Sequence, residues 1–436
     1  MRVAASGGTP SPLIMHDPSR LASMDVLPSF LPDGRHYLYK HISGSPDIRG
    51  TYVGSLDARP EENGAKLILA IGSGAAYASS GGSGPGQLLF MREGTLMAQP
   101  FDDGRLEVTG EAVPVAERVG ADFSNGFFSV SNNGLLAYSE GAVNNRLTWF
   151  DRQGKALGRA GEPSSYTYVA LSPDGSRAAV RRKNSQGPNI WLVDFTHERI
   201  TRFTYGVDAG SPVWSPDGSQ IIYAALRSDA NSDLYRKPAS GAKDAEVLLK
   251  SEEFKTPTSW SPDGRFLLYT VLDPKMREDL WILPLESHRK PIPFLRTEFA
   301  ESNAQFSPKA PLIAYISNES GNDEIYVRPF LPDSNGTSFD IGARMLVSKG
   351  GGTAPRWRGD GKELFYAAPD GRVMSVEVTL GQTFQAETPK PLFQVSSMDR
   401  WDVTADGKRF LFLGQAEQQT QPPFTVIMNW QAELKK

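Results

Sequence analysis

Residues 214–223 read WSPDGSQIIY and residues 260–269 read WSPDGRFLLY. An aromatic residue ends one extended run, S-P-D-G turns the chain, and a second apolar run follows. Proline pre-sets φ in such a turn, aspartate accepts from nearby backbone N–H groups, and glycine takes the left-handed position. The unit recurs as LSPDGSRAAV from Leu171, FSPKAPLIAY from Phe306, WRGDGKELFY from Trp357 and VTADGKRFLF from Val403. An outlying FLPDGRHYLY starts at Phe30 and a degenerate VSNNGLLAYS at Val130. In the C-terminal part the interval is 43 to 51 residues, the length of one four-stranded propeller blade.

The rest of each unit follows the same grammar. A third strand carries its own signature, as in Asn189-Ile190-Trp191, Asp233-Leu234-Tyr235, Asp279-Leu280-Trp281 and Glu324-Ile325-Tyr326. A fourth strand closes the unit, as in Ile200–Phe203 or Glu246–Leu249. One such sheet cannot bury both faces alone, so stacking of sheet on sheet is what makes it stable. The fold class expected is all-β, a β-propeller of four-stranded antiparallel blades. Residues 146–436 are expected to form a six-bladed ring and residues 1–145 about three further, incomplete blades. The alternative is one eight-bladed ring whose terminal strands share a blade. Residues 147–150 or their hairpin partner near Leu157 are expected to pair with residues 425–428 to close the ring. Arg2–Ser6 and Pro12–Ile14 resemble third and fourth strands without the first two, as in the C-terminal part of a longer parent.

Composition agrees with short strands and tight turns: 42 glycines, 32 prolines, 39% hydrophobic and 10% aromatic residues. Net charge is −4 with both signs interspersed, so no basic stripe argues for nucleic acid. With no cysteine there is no disulfide, zinc knuckle or thiol nucleophile. The five histidines (His16, His36, His41, His197, His288) show no metal-ligand spacing, and no cofactor or metal is expected. The N-terminus lacks a continuous apolar segment and reads as a poor signal peptide. The apolar patch from Leu67 to Ala78 is broken by Gly72 and Gly74 and is too short to span a bilayer, so no membrane insertion is expected. The compartment stays open. Recurring once per blade, Asp33, Asp174, Asp217, Asp263, Asp360 and Asp406 read as turn caps, and Trp191, Trp214, Trp260, Trp281 and Trp357 as core between blades.

These units resemble the TolB-like, WD-repeat-like propeller repeats of bacteria. The stretches LLFMREGTLMAQPFD (88–102), RLTWFDRQGKALG (146–158), DLYRKPASGA (233–242), EIYVRPF (324–330), RWRGDGKELFY (356–366) and TVIMNW (425–430) resemble the C-terminal propeller region of bacterial receptor-type serine/threonine kinases. The kinase itself is absent: there is no V-A-I-K lysine, H-R-D loop or D-F-G. Glycine-rich residues 72–74 and 81–86 lack the strand and helix of a phosphate loop and read as flexible. No G-x-S-x-G nucleophile elbow is present, as a peptidase-type partner would require.

The expected function is therefore a non-catalytic binding, sensing or scaffolding module for a protein, peptide or small ligand. It is a sensor part if the parent is a receptor kinase. A channel-sited lyase or hydrolase, or an accessory propeller of a peptidase, is the alternative. The first strand of each blade should lie nearest the axis, and the loops leading into it (205–211, 252–257, 298–303, 350–356 and 396–401) should open on one rim. The candidate binding residues there are Tyr166, Tyr168, Asp208, Lys255, Glu301, Arg356 and Arg400. Mixed charge beside aromatic rings suits a protein or peptide better than lipid or nucleic acid.

Overall fold

In the computed structural model each S-P-D-G repeat is the turn between the first and second strands of an antiparallel sheet. The structure describes residues 1–3, 5–14, 24–42, 48–63, 66–80, 85–121, 125–131, 133–140, 145–184, 187–227, 231–272, 277–286, 290–333, 338–380, 384–395, 400–415 and 424–435. Gly81–Gly84, His16, His288 and residues 396–399 lie outside them. Among the described residues the only helix is the 3-10 segment Trp430–Lys435. None is long and apolar enough to cross a membrane.

The turn works through one aspartate oxygen. At Asp174, Oδ1 accepts from Ser172 Oγ at 2.6 Å and from the Ser176 amide at 3.0 Å. Gly175 takes φ +69° and its amide donates back to the Ser172 carbonyl at 2.8 Å. The Ser172, Ser176 and backbone donors hold the Asp174 carboxyl down at about 2. Ser215–Asp217, Ser261–Asp263 and Thr404–Asp406 repeat the hydroxyl contact at 2.5–2.6 Å. At Asp360 the Arg358 guanidinium replaces the hydroxyl. These carboxylates are spent on their own turns, as expected for caps.

The chain forms two compact units: residues 1–143, 228–230 and 417–436, and residues 144–227 and 231–416. In the second unit, six sheets of four or five strands are formed among the described residues, besides a two-stranded ribbon of Leu331–Pro332 and Phe339–Asp340. Their inner strands are Tyr166–Leu171, Asp208–Trp214, Phe254–Trp260, Glu301–Phe306, Thr353–Trp357 and Trp401–Val403. Each inner strand abuts the next, and the last abuts the first.

The packing follows from the period of two. In the second strand of the third sheet, Leu267 and Tyr269 join the core facing the second sheet, while Phe266 and Leu268 join Phe306, Ile313 and Tyr315 of the fourth. The same division recurs around the unit: Ile313 and Tyr315 against Leu312 and Ala314, Leu364 and Tyr366 against Phe365, Phe410 and Phe412 against Leu411 and Leu413. Both faces of these strands are buried, which explains why they read as continuous apolar runs. Fully burying one such Phe or Leu contributes about 1.5–3 kcal/mol.

Closure differs from expectation. Residues 425–428 do not close this unit. Its last sheet takes Asn145–Asp151 beside Arg409–Gln415, in register from Asn145↔Gln415 to Asp151↔Arg409. Both strands are apolar at alternate positions: Leu147 and Trp149 meet Leu411 and Leu413 in one core. Phe424–Met428 instead pairs with Leu135–Ser139 in the other unit, fixed there by Trp430, which is buried with Leu89, Met91 and Leu136. The sequence pattern could not choose, because both strands alternate.

The first unit holds a four-stranded sheet (Met24–Phe30, His36–Ile42, Gly50–Ser55, Lys66–Leu69), a five-stranded sheet (Ala75–Ala78, Gly86–Arg92, Thr95–Asp102, with Glu107–Val108 and Val113–Ala116) and a three-stranded sheet (Phe128–Val130, Leu135–Ser139, Phe424–Met428). Leu38 and Val53 pack against Leu88 and Phe90 between the first two.

One buried charge ties the fifth and sixth sheets. Glu363, 2% exposed, accepts from Arg152 at 2.6 and 3.1 Å, from Arg358 at 2.6 Å, and from Ser375 Oγ. Burial alone would raise its pKa, but the Arg152 and Ser375 hydrogen bonds and both guanidinium charges outweigh it, and the carboxyl is held below its ordinary value. A carboxyl lowered on folding stabilises fully above its unfolded pKa and stops doing so as pH falls through the folded value. Glu363→Gln should therefore cost about 2–4 kcal/mol at pH 7, seen as a lower thermal midpoint, with the deficit shrinking toward pH 3. Limited proteolysis is expected to leave a resistant fragment of roughly residues 145–415, because that unit closes on itself; mass spectrometry of the fragment checks its ends.

Candidate channel site

Each inner strand except the last carries a register shift midway, at Tyr166/Tyr168, Gly210/Val213, Pro257/Ser259, Ser302/Gln305 and Thr353/Arg356. In three of them a non-glycine residue goes left-handed: Ser211 at φ 51°, Asn303 at 49° and Ala354 at 49°. A bulge re-aims the side chains that follow it. The residues just after the shift are Tyr168, Val213, Ser259, Gln305 and Arg356, and all five line one cavity of about 380 Å³ within the second unit, as do Pro212 and Thr258 within two of the shifts.

Beyond the bulges the wall is apolar. Trp214, Trp260 and Phe306 line it, followed by the turn prolines Pro173, Pro216, Pro262 and Pro308. Pro173, Pro216 and Pro262 are the P of S-P-D-G and Pro308 holds the same place in F-S-P-K, so the repeat that builds the turns also furnishes the channel wall. Where the repeat lacks proline the backbone gains a donor: the Gly359 amide reaches the Ala405 carbonyl of the neighbouring sheet at 2.8 Å. Further hydrogen bonds join inner strands across sheets, from Trp214 Nε1 to Ala170 O at 3.0 Å and from Gln305 Nε2 to Thr258 O at 2.8 Å.

The charged part of the wall is confined to one sector, Arg356 and Asp402. Asp402 Oδ2 accepts the Leu171 amide at 2.8 Å, joining the sixth sheet to the first. Its Oδ1 accepts from the Val403 amide at 2.9 Å and lies 3.3 Å from Arg356 Nε. Arg356 also donates through Nη1 to the Pro355 carbonyl at 2.8 Å and lies 5.8 Å from the Trp401 ring centre. Arg400 stands 6.0 Å over the Tyr168 ring. Burial pushes the Asp402 carboxyl above its ordinary value, with Arg356 opposing. Burial likewise raises the Tyr168 phenol, again against Arg356. The sector thus presents two guanidinium groups, a phenol and one internally committed carboxylate.

The sequence-derived candidates separate into two sets. Tyr168 and Arg356 lie on the channel wall, and Arg400 lies against Tyr168. The others precede the bulges and go elsewhere. Tyr166, 1% exposed, is core and donates to the Glu162 carbonyl at 3.1 Å. Lys255 is fully buried; its ammonium donates to Ser251 Oγ at 2.9 Å and Glu253 O at 2.8 Å, and burial pulls it down to about 8. Glu301, 3% exposed, accepts from Thr297 Oγ1 at 2.5 Å. Asp208 pairs with Arg181 at 2.8 Å. A one-residue shift exchanges the two faces of a strand, and a bulge carries no composition of its own by which to foresee it. Asp402 and Gln305 were missed. Asp402 sits beside Trp401 directly after a candidate loop, and that position was its only available signal. Among the described residues no group of three His, Asp or Glu side chains could hold a metal ion.

Residues 162–327 match the profile of the TolB beta propeller domain. Solved structures that overlay on the chain include a TolB-assigned protein of Agrobacterium tumefaciens (16% identity, 64% of this chain and 100% of that one, TM-score 0.48). Others are TolB of Acinetobacter baumannii (14%, 80% of each chain, 0.39) and a periplasmic gluconolactonase of Pseudomonas aeruginosa (14%, 78% and 98%, 0.42). These overlaps are too low to carry an argument about activity, ligand or partner. The matched profile and the sheet architecture agree on a TolB-like β-propeller.

Proposed function

We propose that the second unit is a non-catalytic binding module whose channel receives an extended peptide segment of a partner protein. The observation that carries this reading is the charged sector: Arg356 lines the wall beside Tyr168, and Arg400 stands over the Tyr168 ring, while proline, tryptophan and phenylalanine make up much of the rest, with Thr258, Ser259 and Gln305 among them. Such a wall takes apolar side chains by shape, and a guanidinium pair takes a carboxylate. A peptide with apolar residues and one acidic group or carboxyl terminus satisfies both. Asp402 supports the same reading against hydrolysis or lyase chemistry. Both its oxygens are engaged by backbone amides and Arg356, so this carboxylate, the one on the channel wall among the described residues, is not a free base. If the chain is joined to a kinase, as the phrases resembling receptor kinases suggest, occupancy of this channel is what it reports.

The test uses the whole chain and octapeptides selected from a random displayed library. Binding should alter the emission of Trp214 and Trp260. Arg356→Ala and Arg400→Ala should each weaken it about tenfold, or ~1.4 kcal/mol; the thermal midpoint should stay little changed for Arg400→Ala and fall for Arg356→Ala, which leaves the Asp402 carboxylate without its partner. Selected peptides should lose affinity when their acidic group is amidated. Affinity unchanged in both arginine variants places binding elsewhere and sinks the channel reading.

A further inference from the structure

The three-stranded sheet of the first unit lacks a strand that its counterparts have. Phe128–Val130, Leu135–Ser139 and Phe424–Met428 occupy the first three places, and among the described residues nothing pairs with the outer edge of Phe424–Met428. The same strand exposes Phe424 (69%), Val426 (57%) and Met428 (77%) on alternate positions. In the third sheet of the second unit, by contrast, the third-place residues Leu280 and Ile282 are fully buried. An unprotected strand edge beside an apolar face is a template for another strand.

The sequence specifies which strand fits. Three of the fourth strands share a proline followed by apolar residues: Val113–Ala116 (VPVA), Ile292–Leu295 (IPFL) and Lys390–Gln394 (KPLFQ). In each, the proline faces a third-strand residue next to a register shift: Pro114 opposite Met97, Pro293 opposite Trp281, Pro391 opposite Met374. A proline has no N–H to lose there, because the fourth place is the sheet edge. One further segment reads this way. Residues 11–14 are SPLI, and they belong to no sheet; Ser11 forms only an isolated bridge to Arg2.

Within its own chain this segment is held beside the first sheet of the unit. Asn63 Nδ2 donates to the Leu13 carbonyl at 2.8 Å, and Arg2 Nη1 donates to the Leu56 carbonyl at 2.9 Å. The incomplete sheet packs against the opposite side of the middle, five-stranded sheet, through Leu136 and Trp430. Donor and acceptor therefore sit at opposite ends of one unit. We propose that the segment Ser11–Ile14 of a second copy of this chain adds as the fourth strand beside Phe424–Met428, joining copies head to tail. The contact is heterologous, donor on one copy and acceptor on the next, so the association grows with concentration into rings or short chains.

The chain has no cysteine, which makes the test direct. Full-length Leu13→Cys and full-length Val426→Cys are prepared separately, mixed, and treated with a short bismaleimide. The expected product is a mixed dimer that each variant alone does not give, together with a rise in light-scattering mass with concentration for the unmodified chain. Pro12→Asp should abolish both the dimer and the mass increase while leaving the thermal midpoint unchanged, since Pro12 is exposed and outside any sheet. A double variant that cross-links only within one chain, or a wild-type mass that stays monomeric up to millimolar concentration, overturns the proposal.

Discussion

Everything in the second unit depends on one strand pairing, Asn145–Asp151 against Arg409–Gln415. It joins residues more than 250 positions apart and supplies the two middle strands of the last sheet. Without it, the sheet next to the first would present Leu411 and Leu413 to water, and the first sheet would lose the partners of Tyr166, Val169 and Val180. Closing so long a loop carries an entropic cost that grows only slowly with its length. What offsets that cost is the apolar surface buried on both sides of the closing sheet, against the fifth sheet through Phe410 and Phe412 and against the first through Leu147 and Trp149. The Glu363 network reinforces the same seam, because Arg152 lies directly after the closing strand and reaches into the fifth sheet.

Closure in turn sets the channel. Inner strands held in a circuit leave an axial space whose lining is decided by which face of each strand points inward. The bulges decide it. They sit at the same place in five of the six inner strands, and the backbone strain at Ser211, Asn303 and Ala354 is tolerated because ladders on either side fix the register. The price is local. The consequence is that Gln305 and Arg356 face the channel while Glu301 and Lys255, on the other side of their bulges, are enclosed between sheets.

That distinction also separates what was legible in the sequence from what was not. The turn chemistry of S-P-D-G is local, so the all-β class, the sheet unit and the capping role of Asp174, Asp217 and Asp263 could be read from ten residues at a time. Strand partners across the chain could not be read that way, since Thr425–Met428 and Phe410–Leu413 are equally apolar and only Trp430 and the two cores separate them. Nor could the wall of the channel. A bulge adds one residue to a strand without any composition of its own, so the face taken by a candidate residue depends on whether it precedes or follows the shift. Tyr168 and Arg356 are right at the wall because they follow the shift; Lys255 and Asp208 precede it.

The polar sector of the channel lies where closure and lining meet. Asp402 is on the shortest inner strand, Trp401–Val403, in the very sheet assembled from both ends of the unit. One of its oxygens holds the first sheet through the Leu171 amide, and the other faces Arg356 of the fifth. Burial raises the cost of its charge, and the guanidinium offsets part of that cost. An anionic group that draws Arg356 toward itself weakens that compensation, so the strength of binding in the channel and the cohesion of the three sheets around Asp402 are not independent quantities. Ligands that bind only the folded form stabilise it by mass action.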